Sequence, residues 1–404
     1  MRTTKTLLWL VGLIVLLLGF WLLSTWGKGQ APILPADTSG WLAFVSDRDG
    51  PAHIWFLKPD GTEVRAEPDS TSEDLEPTWQ QPDGKTLFFV SNRTDRIFQI
   101  FHLSPRDGTA NQLTVSHSRK AELASDPTGQ RILHTAGGTV SVLYLGERHA
   151  AQLIPPPTIS PGERKALMDA WQAEFGASSF RKVTWGRSAG TLVGVISGDT
   201  GDVLIVQQYD LRMREQKPPV VWLRAKRIDV AYHPTEDKFI VAYVGAQAKE
   251  PEEAGRSWEA GETVQPEPEG PTDAMLIVAL DNAKLTPVPV FADIGAKSVL
   301  ISPSWSPDGS RIAAIMARVE GEDLVPESLV VLPAKEGGVR LLTEADTGLC
   351  GDPQWSPDGR KLAYTKGPSG KRDIWLYESD REPRQLVGSP GDDFWPRWSP
   401  KAGR

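Results

Sequence analysis

The sequence predicts an all-β fold, a seven-bladed β-propeller preceded by one transmembrane helix, and three observations carry that prediction. A Trp-Ser-Pro-Asp-Gly box occurs twice, at Trp305–Gly309 and Trp355–Gly359, and degenerate copies precede and follow it. The copies recur at steps centred on the mid-forties, the spacing of propeller blades. Composition agrees: 37 Gly, 33 Pro and 15 Trp in 404 residues mark many short strands separated by turns.

The repeat anchors are Trp79, Ala124, Trp185, Tyr232, Trp305, Trp355 and Trp398. Their steps are 45, 61, 47, 73, 50 and 43 residues. The two long steps hold insertions, 158–176 and 246–272, whose removal restores the period. Each unit has a physical logic. The Trp fills the wedge between neighbouring blades. Pro-Asp-Gly then turns the chain, with Pro fixing φ and Gly accepting positive φ. An apolar strand follows, such as Leu87–Val90. A polar connection leads to an alternating strand such as Ile54–Leu57, and an Asp-Gly hairpin to the outer strand. The first set, at Trp41–Val45, has no box before it. The C-terminal run Phe394-Trp-Pro-Arg-Trp-Ser-Pro400 is the strand it lacks, so the chain ends are expected to share one blade and close the ring. A ring of six is the alternative, and it requires the copy at Ala124 not to be a blade.

These boxes, with Ser46-Asp-Arg-Asp-Gly50 and the Ile-Trp strands, resemble the PD40 repeats of TolB-like β-propellers over residues 40–404. The resemblance implies an extracytoplasmic protein that holds other proteins. Some PD40 propellers instead gate an attached serine peptidase. The scaffold itself hosts many activities, so function is expected at specific residues rather than from the fold.

Leu7–Trp26 carries no charge and is long enough to cross a bilayer as a helix. Arg2 and Lys5 precede it, which places residues 1–6 in the cytoplasm and the rest outside. A cleaved signal peptide is the competing reading. Residues 27–39 read as a flexible tether and 40–404 as the propeller. The expected localisation is therefore a single-pass protein of the cell membrane with a periplasmic or extracellular propeller.

A net charge of −8 without basic runs argues against a nucleic-acid partner. The single Cys350 excludes an intramolecular disulfide framework. Gly186-Arg-Ser-Ala-Gly190 fits the pattern of a hydrolase nucleophile elbow, but it falls in register with the Pro-Asp-Gly turns and reads as a turn. The six histidines lack metal-ligand spacing, and His233 takes the Ser position of its box. The pairs Asp47 and Asp49, Asp199 and Asp202, and Asp392 and Asp393 match no EF-hand loop. No metal, cofactor or catalytic residue is therefore expected, and the chain reads as a binding scaffold rather than an enzyme. A propeller lyase or hydrolase, or a ligand-sensing ectodomain, is the alternative.

Ser160-Pro-Gly-Glu163 reads as a capping box opening a short helix, with Leu167, Trp171 and Phe175 on one face. Residues 249–273 hold eight acidic residues and four prolines, a composition that does not order itself, with Trp258 as its one aromatic anchor. Binding is expected on one propeller face, where connecting loops crowd the channel. The candidates are Asp47, Arg48, Asn92, Arg93, Asp393 and Trp395, and the expected partner is a protein.

Overall fold

In the computed structural model of the chain, the repeated box folds identically wherever it is complete. Ser306 Oγ donates to Asp308 Oδ1 at 2.6 Å and accepts the Arg311 amide at 2.9 Å. Ser356 does the same with Asp358 and Lys361. Gly309 and Gly359 close the turns at φ +68°. Space constrains Gly309 as well, because a Cβ there would lie 2.1 Å from His233 Nε2 in the preceding turn. His233 stands at the Ser position of its box but bonds differently, its Nδ1 accepting the amides of Thr235 and Glu236 two and three residues on.

The structure describes residues 38–400 apart from 67–70, 104–108, 137, 147–148, 155–159, 164, 167–168, 170–178, 187–190, 209–219, 247–272, 282–283, 291–296, 322, 335–339, 343–349 and 379–380. The expected transmembrane helix, most of the tether, the acidic insertion and Ser188 lie outside the described residues. So do Leu167, Trp171 and Phe175. No helix among the described residues is long and apolar enough to cross a membrane. The capping box is present, with Ser160 N donating to Glu163 Oε2 at 2.7 Å and Glu163 N to Ser160 Oγ at 3.2 Å.

The fold is all-β, and every paired strand is antiparallel to its neighbour. The first sheet contains β1 (Leu42–Ser46), β2 (His53–Leu57) and β3 (Glu63–Arg65). The second runs β4 (Asp74–Trp79), β5 (Leu87–Ser91), β6 (Gln99–Leu103) and β7 (Ala110–Gln112). The third runs β8 (Lys120–Ser125), β9 (Arg131–Ala136), β10 (Thr139–Tyr144) and β11 (His149–Ile154). A seven-stranded sheet follows: β12 (Ser179–Trp185), β13 (Thr191–Gly198), β14 (Gly201–Gln208), β15 (Val220–Tyr232), β16 (Lys238–Ala246), β17 (Ala274–Asp281) and β18 (Lys284–Pro289). Its long β15 pairs with β14 through Val220–Ala225 and with β16 through Ala225–Tyr232. One strand thus ends one four-stranded unit and begins the next.

The last two sheets are β19 (Ser298–Trp305), β20 (Arg311–Glu320), β21 (Asp323–Pro333) and β22 (Arg340–Leu341), then β23 (Cys350–Trp355), β24 (Lys361–Lys366), β25 (Asp373–Glu378) and β26 (Arg384–Val387). The chain then returns to the first sheet, where β27 (Asp393–Trp398) pairs with β1, Ala43 opposite Arg397.

The sheets pack face to face. One buried cluster joins Trp41, Ile54 and Phe56 of the first sheet to Trp79, Leu87 and Phe89 of the second. Another joins Leu42 and Phe44 of the first to Ala363 and Ile374 of the last. The leading strands touch in a closed circuit, β4 to β8, β12, β15, β19, β23, β27 and back to β4. The buried tryptophans of the boxes staple this circuit by donating Nε1–H to a carbonyl of the preceding strand. Trp79 reaches Arg397 O at 2.9 Å, Trp185 reaches Ala124 O at 2.9 Å, Trp305 reaches Ala231 O at 3.1 Å and Trp355 reaches Ser304 O at 3.2 Å. The ring therefore fills apolar space while satisfying its one polar atom.

Candidate functional site: a ring of bulges around an axial cavity

Five leading strands carry a two-residue bulge at one equivalent place, between Leu75 and Thr78, Ala121 and Ala124, Ile301 and Ser304, Gly351 and Gln354, and Phe394 and Arg397. The first bulged residue is left-handed each time: Glu76 at φ 56°, Glu122 at 54°, Ser302 at 51°, Asp352 at 47° and Trp395 at 53°. A positive φ is uncommon for a non-glycine residue. In four of the five the next residue is proline (Pro77, Pro303, Pro353, Pro396), which itself disfavours compact conformations before it. Strain of this kind collects at functional sites.

All five residues line one cavity of about 550 Å³, joined by Lys182 of β12 and Asp229 of β15 three residues before Trp185 and Tyr232. Every strand of the circuit thus contributes to its wall. Such a volume lies within the range of ligand-binding cavities.

The electrostatics are uneven. Asp229 is the hub of a half-buried network: Arg181 Nη1 at 2.9 Å, Arg227 Nε at 2.9 Å and the Ser302 amide at 3.1 Å. Arg181 also binds Asp202 at 2.7 Å. Burial opposes ionisation of Asp229, but Arg227 and Arg181 outweigh it and hold the carboxyl below its ordinary range. Glu122 behaves in the opposite way. Burial, reinforced by the neighbouring Glu76 and resisted by Lys182, pushes its carboxyl up to about 7. Glu76 is raised too, chiefly by burial, although the Leu123 amide donates to its Oε2 at 3.4 Å.

The loop residues expected to bind are engaged within the sheets. Arg48 bonds Ser46 Oγ at 2.8 Å and Asp393 Oδ1 at 2.9 Å, pairs with Glu63, and covers the Trp55 ring at 4.6 Å. Arg93 repeats the arrangement with Ser91 Oγ at 2.9 Å, Asp74 Oδ1 at 2.7 Å and the Phe101 ring at 4.7 Å. Each arginine clamps the start of a leading strand to its own sheet. Asp47 Oδ1 accepts the Asp392 amide at 2.6 Å, and Asn92 Oδ1 accepts the Glu73 amide at 3.0 Å. Of the expected set, Trp395 alone lines the cavity. The expectation missed the other bulge residues. Their signal is a residue-Pro-x-Trp string, Glu76-Pro-Thr-Trp79, Ser302-Pro-Ser-Trp305, Asp352-Pro-Gln-Trp355 and Trp395-Pro-Arg-Trp398. Among the described residues no group of His, Cys, Asp or Glu is arranged to hold a metal.

No family model matches the chain. Over 111 residues it is 32% identical to the uncharacterized peptidase YuxL of Bacillus subtilis (strain 168), a match spanning 27% of this chain and 17% of that protein. TolB from Acinetobacter baumannii superposes with a TM-score of 0.50 at 16% identity, over 91% of this chain and 68% of that one. A prolyl endopeptidase structure superposes with a TM-score of 0.56 at 13% identity, over 89% of this chain and half of that one, 50%. The sequence likeness to a peptidase overturns the expectation that the chain is not an enzyme, and the two structural likenesses show the fold alone. In fold, the chain is a TolB-like β-propeller.

Proposed function

We propose that the chain is a seven-bladed propeller held outside the cytoplasm by residues 7–26, and that a segment of a partner protein docks in its axial cavity. The bulge ring carries this reading, because every leading strand supplies the same cavity and five of them do so in a disfavoured backbone conformation. A cavity of about 550 Å³ suits a peptide segment rather than a globular surface. The division of β15 between two four-stranded units and the return of β27 to the first sheet support the blade count. Asp47, Arg48, Asn92, Arg93 and Asp393 sit where leading strands begin and form the proposed rim. The uncharged Leu7–Trp26 run behind Arg2 and Lys5 supports the topology.

Gln354 lines the cavity, and Gln354→Trp is expected to fill it. Crosslinked capture of the partner from solubilised membranes should then fall at least tenfold relative to Leu341→Trp on an exposed outer strand. Equal capture by both variants contradicts axial docking.

A second reading, acid–base catalysis in the same cavity, is favoured by Glu122, whose carboxyl titrates near 7, where proton exchange is efficient. Under it, Glu122→Gln lowers turnover of a peptide substrate by about 10²- to 10⁴-fold. Unchanged turnover removes it.

A further inference from the structure

We propose that the third sheet holds a binding site for one carboxylate of a ligand, at Lys120 and His134, in the place where the first two sheets hold an arginine. Neither residue lines the axial cavity. In the first sheet Asp393 lies opposite Ser46, and in the second Asp74 lies opposite Ser91. Each carboxylate binds an arginine two residues beyond the serine, Arg48 or Arg93. Each arginine lies over a cross-strand pair of rings, Phe44 with Trp55 or Phe89 with Phe101.

The third sheet keeps this register and changes every member. Lys120 lies opposite Ala136 in place of the Asp–Ser pair, and Gly138 stands where the arginine would. His134 and Ser141, opposite each other, replace the two rings. Side chains two apart on a strand share a face, which puts Lys120 beside His134. The charge of the position is thereby inverted. Lys120 is 8% exposed and His134 1%, and among the described residues the Lys120 amine makes no ion pair or hydrogen bond. His134 Nδ1 is buried and has no hydrogen-bond partner among them either.

Buried polar groups are nearly always bonded, so an unmatched cation beside an unmatched imidazole calls for an anionic acceptor. Burial, and then the Lys120 charge, hold His134 down to about 4 against a backbone bond at Ile132. A carboxylate gives Lys120 the charge-assisted bond it lacks. Neutralising Lys120 also lifts one of the two causes that keep His134 uncharged, so the imidazolium can form a second such bond. The approach is open, because His117, Ser118 and Arg119, which lead into Lys120, are exposed. Gln99 fixes that approach, its Nε2 donating to Ser116 O at 3.0 Å and Ser118 O at 3.1 Å.

Nuclear magnetic resonance of the full chain, labelled in its histidine rings, tests this, with the His134 signal assigned by its loss in His134→Gln. At constant ionic strength, N-acetylaspartate α-amide or N-acetylalanine should shift that signal saturably, and at least tenfold more tightly than the uncharged N-acetylalanine amide. Tighter binding of the first supports a side-chain carboxylate as the ligand, and of the second a chain terminus. Lys120→Met keeps the reach of the side chain without its charge and should weaken either carboxylate at least tenfold. It should melt no lower than the parent, since it removes an unpaired buried charge, and lost binding is then not lost fold. No saturable shift, equal binding of the uncharged amide, tighter binding of inorganic phosphate, or unchanged affinity in Lys120→Met overturns the inference. The Gln354→Trp capture result decides the axial reading separately, so either can fail alone.

Discussion

Removing residues 393–404 should abolish cooperative folding. The deletion takes away β27, which pairs with β1 through four residues, Leu42, Ala43, Val45 and Ser46. It also removes Arg397 O, the acceptor for Trp79, and Asp393, the carboxylate that Arg48 clamps. Ser399 goes with them, and with it a contact to Thr38, which itself bonds Gly84 O at 3.1 Å. Strand β1 is buried along its whole length, so the truncated chain exposes a flat apolar edge. Such edges pair with other chains. Size-exclusion chromatography and a thermal melt followed by circular dichroism should show aggregation and no sharp transition. A truncated chain that melts like the parent disproves closure by the C-terminus.

Asp229→Ala is the second large effect expected. Its carboxylate binds two arginines and the amide of Ser302 on the next sheet, and its side chain is only 11% exposed. Its partners Arg181 and Arg227 are 35% and 38% exposed, so water takes up part of the loss, and removing these charge-assisted bonds costs about 1.5–3 kcal/mol. Asp49, paired with Arg65 at 3.0 Å and 37% exposed, is the control, and its alanine variant should lose less than about 1 kcal/mol. Urea unfolding of the two variants measures the difference. The sign with pH also follows. The folded carboxyl of Asp229 is held below its ordinary range, so its contribution is complete at neutral pH and is lost as the pH falls through that depressed value. Parent and variant should therefore converge in acid.

Much of this architecture is legible in the sequence, and the reasons are local. Pro-Asp-Gly dictates its turn wherever it stands, and the Trp before it has the volume and the N–H to bind neighbouring strands. The join between β1 and β27 spans nearly the whole chain, yet it is readable because a set without a box at one end meets a box without a set at the other. The site was less accessible. Strand alternation anticipates side chains on two faces, not a left-handed residue ahead of proline, so Glu76, Glu122, Ser302 and Asp352 read as ordinary strand positions. Arg48 and Arg93 read as loop charges because their clamps depend on pairing. Asp393 is 345 positions from Arg48, although the repeated Ser-x-Arg of Ser46–Arg48 and Ser91–Arg93 hinted at a shared structural role. The continuous Val220–Tyr232 likewise conceals the point where one four-stranded unit passes into the next.

Entry of the partner into the axial cavity is tested by site-directed photocrosslinking. A photoreactive phenylalanine at position 354, on the cavity wall, is compared with one at position 341, on the outer strand where Leu341 is 58% exposed. Illumination of intact membranes should give one discrete adduct from position 354. Position 341 should give none. A partner adduct from position 341 with none from position 354 contradicts the account.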